Sequence, residues 1–289
     1  MARSPGAMPK SATGAAVFAV VMALAATPAE GGAGMGLSGD HVGKEVAVVG
    51  KVSQMPWQHM IRSDTGKQAE YIDVEEGGQI VAYVGSAIAC GRPVLLEGKV
   101  LLTEGSSKRP GSKERVGEIQ LDVARWTCLD AAGAGQLLRR LGEPGPSREA
   151  KEGAELGLVA AGKDAIPMLI DQLGDAKVCW TEKFLLNEGS LMNRPPNAPP
   201  VKEQWVEEEV TVGSRCEALL TRIVWPVDYE SPYASNFKPI SGGSPPFRVE
   251  DWKAWWAKNK TKSLDEIREG MKPVLDAYWK SKGVQQIVR

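Results

Sequence analysis

The stretch LGLVAAGKDAIPMLIDQLGD, Leu156 to Asp175, spaces its apolar residues as a helix does, yet it is interrupted by Gly162, Lys163 and Asp164 and then by Pro167. Upstream, in SREAKEGAELGLVAAG, Ala150, Ala154, Leu158 and Ala161 share one helical face. Downstream, in DAIPMLIDQLGD, Ile166, Leu169, Ile170 and Leu173 share another. Two amphipathic stripes divided by helix-ending residues predict two short antiparallel helices rather than one long one. Gly162 is expected to close the first helix, Asp164 to cap the second, and Pro167 to sit in its first turn, where a missing N–H costs nothing.

Working outward toward the C-terminus, DAKVCWTEKFLLN reads as a further helix. GSRCEALLTRI places Cys216, Leu219, Leu220 and Ile223 on one face. Between them lies an insertion, residues 187–204, containing NRPPNAPP, which has no helical period and is expected to be an exposed polyproline-like loop. VEDWKAWWAKNK sets Trp252, Trp255 and Trp256 at helical spacing, a pattern of core packing more than of a ligand platform. SLDEIREGMKPVLDAYW opens with a Ser263/Glu266 capping box and carries Leu264, Ile267, Met271, Leu275 and Trp279, with Pro273 expected to kink or split it. The helix pair at residues 147–174 resembles the HEAT repeat family in its REA…A…L…G…AIPxLIxxL pattern, with Arg148 at the place of that family's characteristic arginine. The resemblance implies a small stacked-helix domain over residues 131–289, and the long insertion departs from the family's short turns.

Toward the N-terminus the period changes from helical to alternating. KEVAVVGKV puts Val46, Val48, Gly50 and Val52 on one face, and RPVLLEGKVLL does the same with Val94, Leu96, Gly98, Val100 and Leu102. A glycine inside a strand marks a bulge or a tight coil, as a small closed barrel requires. EYIDVE and QIVAYV flank a Glu-Gly-Gly hairpin turn, and EIQLDVARW supplies a fifth strand. Over residues 38–128 the GKEVAVVGKV opening, the GRPVLLEGKV strand and the GSAIACG connector are similar to the OB-fold barrels. The expected class is therefore α+β multidomain: a small OB-like antiparallel β-barrel followed by an α-helical HEAT-like hairpin domain.

The OB resemblance implies that ligand contacts come from two loops. Here these are Ser53 to Gln68, with Trp57, His59, Met60 and Arg62, and Thr103 to Val116, with Lys108, Arg109, Lys113 and Arg115. An aromatic platform beside cations suits an anionic glycan or an oligonucleotide. A long polar loop is equally well explained as simply solvated, with Trp57 capping the barrel.

The chain has 289 residues with 35 Lys+Arg against 36 Asp+Glu, so no global field draws it to nucleic acid or an anionic membrane. Residues 1–29 read as a secretory signal: Arg3 and Lys10 precede the thirteen-residue run GAAVFAVVMALAA, shorter than the roughly 20 residues a spanning helix needs. No stable membrane span is expected after its cleavage, and the expected location is periplasmic or secreted. In an oxidising compartment four cysteines without CxxC spacing predict two disulfides, Cys90 to Cys128 and Cys179 to Cys216.

No metal site is expected from these cysteines and only two histidines, and no cofactor or nucleophile motif is present. The Glu207, Glu208, Glu209 run reads as a solvated face. The functional expectation is a non-enzymatic exported protein whose partner is a protein of the cell envelope. The alternatives are a module whose barrel loops hold an anionic polymer and, more weakly, a carboxylate-dependent glycan hydrolase.

Overall fold

The computed structural model describes residues 37–55, 61, 63, 65–74, 78–106, 115–186, 204–225, 249 and 251–281. The signal-like segment 1–29 and the prolines of the insertion lie outside the described residues.

Five strands form the N-terminal sheet: β1 (Glu45–Val52), β2 (Gln68–Val74), β3 (Gln79–Val84), β4 (Val94–Ser106) and β5 (Arg115–Cys128). Their order is β1-β2-β3-β5-β4, and β4 pairs back to β1, so the sheet closes into a barrel. The expected all-antiparallel pairing is corrected at one seam, where β3 and β5 run parallel. An odd number of strands cannot alternate direction around a closed circuit, so one parallel contact is unavoidable.

The alternating pattern places its residues largely as expected. Val46, Ile72, Ile80, Ala82, Val84, Val94, Leu96, Val100, Leu121 and Val123 fill the barrel interior, with Val48 and Val52 partly buried against them. Leu102, expected on the same buried face, is 49% exposed, because β4 has by then run past the barrel into its long ladder with β5. Both strand glycines are obligatory. A Cβ on Gly50 would strike Ile72 and the Asp73 carbonyl, and one on Gly98 would strike the Asp122 carbonyl and approach Val123 Cα to 2.8 Å. The β4–β5 register shifts between Glu97 and Gly98, the bulge that the interior glycine marks. Cys90 and Cys128 are disulfide-bonded, tying the β3–β4 connector to the end of β5.

Among the described residues six α-helices and a second, two-stranded sheet follow. The helices are α1 (Ala131–Gly142), α2 (Arg148–Ala161), α3 (Ile166–Asp171), α4 (Val212–Val224), α5 (Trp252–Asn259) and α6 (Leu264–Ser281). Gly162 ends α2 with φ 59°, and Pro167 lies in the first turn of α3, both as the sequence predicts. Asp164 does not cap α3. Ala165 takes that position, and the Asp164 carboxylate accepts instead from Arg92 of the barrel. The expected hairpin of α2 with α3 is also revised, because α2 lies chiefly against α1 and then α4, while α3 packs on α4.

DAKVCWTEKFLLN is not a helix. Val178–Leu186 is strand β6, paired antiparallel with β7 (Gln204–Thr211), and the insertion joins the far ends of this ribbon. Val178, Trp180, Thr181 and Phe184 are β-formers, and their partner strand lies beyond the insertion, where no local periodicity can reveal it.

One apolar core spans both halves. On the outer face of β1 and β4, Ala47 and Leu95 join Leu129, Leu137, Leu158, Leu169, Leu220 and Leu275 in a single cluster, with Val49 packed against it. Helix α2 reaches the barrel wall through glycines. A Cβ on Gly157 would come within 2.6 Å of Leu137 Cδ1 and 3.1 Å of Leu95 Cδ2, and one on Gly153 within 3.3 Å of Ala47. Trp252, Ile267, Met271 and Leu275 close the far side of this core, Trp255 and Trp256 pack against it, and the Ser263/Glu266 capping box forms as expected. Pro273 lies within α6, which runs on as one element.

Charge reinforces the junction. Glu97 on the barrel's outer face receives both terminal nitrogens of Arg140 from α1 and Nε of Arg125, with side-chain exposures of only 13% for Glu97 and 10% for Arg140. Arg140 also donates to the Ala150 carbonyl at the start of α2. Burial alone would raise the Glu97 carboxyl's pKa, but the hydrogen bonds and charges of the two arginines outweigh it and hold it below the ordinary value.

Two outcomes are expected. Gly98→Ala should destabilise the protein by about 2 kcal/mol or more in denaturant unfolding, since backbone must move to admit the methyl, whereas Gly85→Ala, with nothing within 4 Å, should not. Glu97→Gln should cost about 3 kcal/mol at neutral pH. A lowered folded pKa contributes stability above the unfolded value that is lost as pH falls through the folded one, so the gap between wild type and Glu97→Gln should close on acidification below about pH 4.

Candidate functional site

The distal part of the loop after β1 is stitched to the barrel through Ile61, Ser63 and Lys67. The Ile61 N–H donates to Glu118 Oε2 (3.1 Å), and Gln120 Nε2 donates to the Ile61 carbonyl (2.7 Å). The Ser63 N–H donates to the Tyr83 hydroxyl (2.8 Å), and Lys67 Nζ donates to Asp122 Oδ1 (2.6 Å) and the Val123 carbonyl (2.7 Å). Ile61, Tyr83 and Gln120 are all buried by this arrangement. Ile61 also packs so close to Gly105 that a Cβ there would lie 3.1 Å from its Cγ2.

Gly105 belongs to the end of the β4–β5 ladder from which the second expected binding loop departs. The anchored parts of the two loops therefore meet, although some forty residues of sequence divide Ile61 from Gly105. Of the residues expected to bind there, only Arg115 is among those described. It stands exposed at the ladder's end, opposite Ser106, and pairs with Glu104 at 3.1 Å. Trp57, His59, Arg62, Lys108, Arg109 and Lys113 lie outside the described residues.

A second cluster sits where the ribbon meets the helices. Glu155 of α2, nearly buried, accepts from Nε and Nη2 of Arg215 on α4, both at 2.5 Å. The Arg215 and Arg148 guanidinium carbons lie 5.2 and 5.6 Å from the Trp180 ring centroid, within cation–π range. Trp180 Nε1 donates to Glu182 (3.1 Å), and Arg148 donates to Glu182 (3.1 Å) and Glu152 (2.9 Å). Lys151, 4% exposed, donates to the Cys179 carbonyl (2.8 Å). Cation, ring and carboxylate thus interlock, and the root of the ribbon is held by side chains from α2 and α4.

The expected Cys179–Cys216 disulfide is absent: both are free thiols, and both are buried in the shared core. A shared domain does not set the spacing and side-chain direction that a disulfide needs, and here Cys179 stands on β6 and Cys216 on α4. Burial raises both pKa values, that of Cys216 to about 12, so neither is a thiolate at neutral pH. Among the described residues no group of three or more His, Cys, Asp and Glu is placed to hold a metal ion.

Sequence reasoning singled out Arg148 and missed the rest of the Trp180 cluster. Arg148, Lys151 and Glu155 follow an i, i+3, i+7 spacing, a second helix face that is charged rather than apolar, and such a face ordinarily reads as solvated. No protein-family model matches the chain, and no curated protein matches its sequence.

The thiols supply a check. Native protein at pH 7 should leave both unlabelled by a maleimide, while unfolding in guanidinium without reductant should expose two reactive cysteines and leave Cys90 and Cys128 linked.

Proposed function

We propose that the chain is a non-catalytic, exported binding protein, an OB-like barrel joined to HEAT-like helices, that engages a protein partner of the cell envelope through the β6–β7 ribbon. The observation that carries this reading is the contrast between the ribbon's root and its stem. A lone two-stranded ribbon is marginal in water. Here the root is fixed by Trp180, two arginines and Lys151, while Thr181, Lys183, Glu207, Glu208 and Glu209 of the stem are exposed. Holding a projecting element rigidly lowers the ordering cost of binding through it. The three consecutive glutamates suit a partner with a basic face and guard the free edge against self-pairing. The strand order with its single parallel seam supports the OB-like reading, and the Cys90–Cys128 bond suits an oxidising compartment.

A second reading places an anionic polymer on the barrel loops, favoured by the meeting of Ile61 with Gly105 at the roots of both loops. The two are separated by photo-crosslinking in the native envelope from Thr181 and Glu209 on the ribbon and from Lys51 on the barrel. Ribbon-specific crosslinks to one protein are expected, with at least about tenfold weaker binding of that purified protein by a Glu207→Lys, Glu209→Lys variant. Absence of ribbon crosslinks, together with salt-sensitive heparin binding lost on Trp57→Ala, would instead favour the barrel loops.

A further inference from the structure

The ribbon that carries the proposed partner contact is, among the described residues, a sheet of two strands, so each strand has one edge without a neighbouring strand. On the β6 side the root is occupied, since Lys151 donates to the Cys179 carbonyl (2.8 Å). Along β7, from Val206 to Val210, the backbone bonds only to β6 among the described residues. Every second residue of such an edge turns its N–H and C=O outward, where one more strand can pair with them.

The glutamates on this edge are unequally engaged. Lys183 pairs with Glu207 across the ribbon at 2.6 Å. Glu208 and Glu209 are exposed, and among the described residues neither makes a hydrogen bond or an ion pair. Glu208 stands directly opposite Glu182, a like-charge pairing that costs stability, and Glu182 is already engaged by Arg148 and the Trp180 indole. Glu209 stands opposite Thr181, which brings no charge.

Successive side chains of a strand point to opposite faces of the sheet. A folded basic surface laid on one face of the ribbon therefore meets Glu208 or Glu209, but not both. A strand laid along the β7 edge meets both, because its own side chains alternate with the same period. At the usual strand spacing of about 4.8 Å, its lysines or arginines reach the two carboxylates from either face.

From this alternation we infer that the partner contributes an extended segment with consecutive basic residues, which joins β7 as a third strand of the ribbon. Backbone hydrogen bonds supply the affinity, and the basic side chains select the sequence. The same edge repels a second copy of itself, since glutamate would then face glutamate. The inference rests on the ribbon being the partner contact and adds what the partner must present there.

The probe is N-acetyl-Val-Lys-Lys-Lys-Val-amide, titrated calorimetrically into the full chain at low salt. Its control is the same peptide N-methylated at all three lysines, which keeps every charge but cannot bond along a strand edge. The parent peptide should give saturable heat and slow the amide exchange of alternate residues between Val206 and Val210, followed by NMR. The methylated peptide should bind at least about tenfold more weakly. Glu208→Gln and Glu209→Gln, both at exposed positions without contacts to lose, should each weaken the parent peptide several-fold. Equal binding of the methylated peptide, loss in only one of the two variants, unchanged amide exchange, or no saturable heat up to about 10 mM would each overturn strand addition. With any of these results, ribbon crosslinks to one envelope protein would still uphold the partner contact. Absence of those crosslinks would remove that contact whatever the peptide does.

Discussion

The structure depends on the packing of α2 against the outer wall of the barrel. β1 and β4 are buried on both faces: Val46, Val94 and Leu96 look into the barrel, while Ala47 and Leu95 look out into the helical core. That second burial requires a helix to approach a strand surface closely, and Gly153 and Gly157 make the approach possible. A Glu97 carboxylate at this seam would be costly if left unpaired, and Arg140 and Arg125 neutralise it. The barrel keeps its own interior cluster, and a second cluster joins its outer face to the helices. Arg92–Asp164 and the Cys90–Cys128 link secure the same edge of the barrel.

From that seam α2 organises what lies beyond it. One face of the helix meets the barrel. Another carries Arg148, Lys151 and Glu155 to the ribbon and to α4. Lys151 and Glu155 are buried charges, tolerable because each has a partner of matching geometry: a backbone carbonyl for the ammonium and a two-point guanidinium for the carboxylate. Such pairing fixes direction more than it adds stability, and direction is what a projecting ribbon needs. The far ends of α2 and α3 meet the C-terminal helices through Lys163, which donates to the Lys262 carbonyl and lies over Trp256.

Much of the architecture was legible because its signals are local. Alternation located five strands, helical stripes located α2 and α4, and Ser263 with Glu266 located the start of α6. The interior glycines Gly50 and Gly98 correctly signalled tight backbone. The errors came where a partner lies far away in the chain. β6 was taken for a helix because its mate, β7, is beyond the insertion. The expected Cys179–Cys216 bond rests on export and a shared domain, and neither sets the geometry that a disulfide needs. Leu102 looks like an interior residue because the alternation continues after the barrel wall has ended.

The sequence by itself determined the five barrel strands, the α2, α4 and α6 segments, the Cys90–Cys128 pairing, the glycine end of α2 and the Ser263/Glu266 cap, since each follows from spacing, backbone preference or a short-range hydrogen bond. Only the tertiary structure decided the rest. It closed the sheet with a parallel seam, chose α1 over α3 as the main neighbour of α2, and buried Lys151 and Glu155. It also left β7 at the edge of a two-stranded sheet. These outcomes depend on which surfaces meet, and a surface's neighbour is set by packing the whole chain at once rather than by the pattern of any single segment.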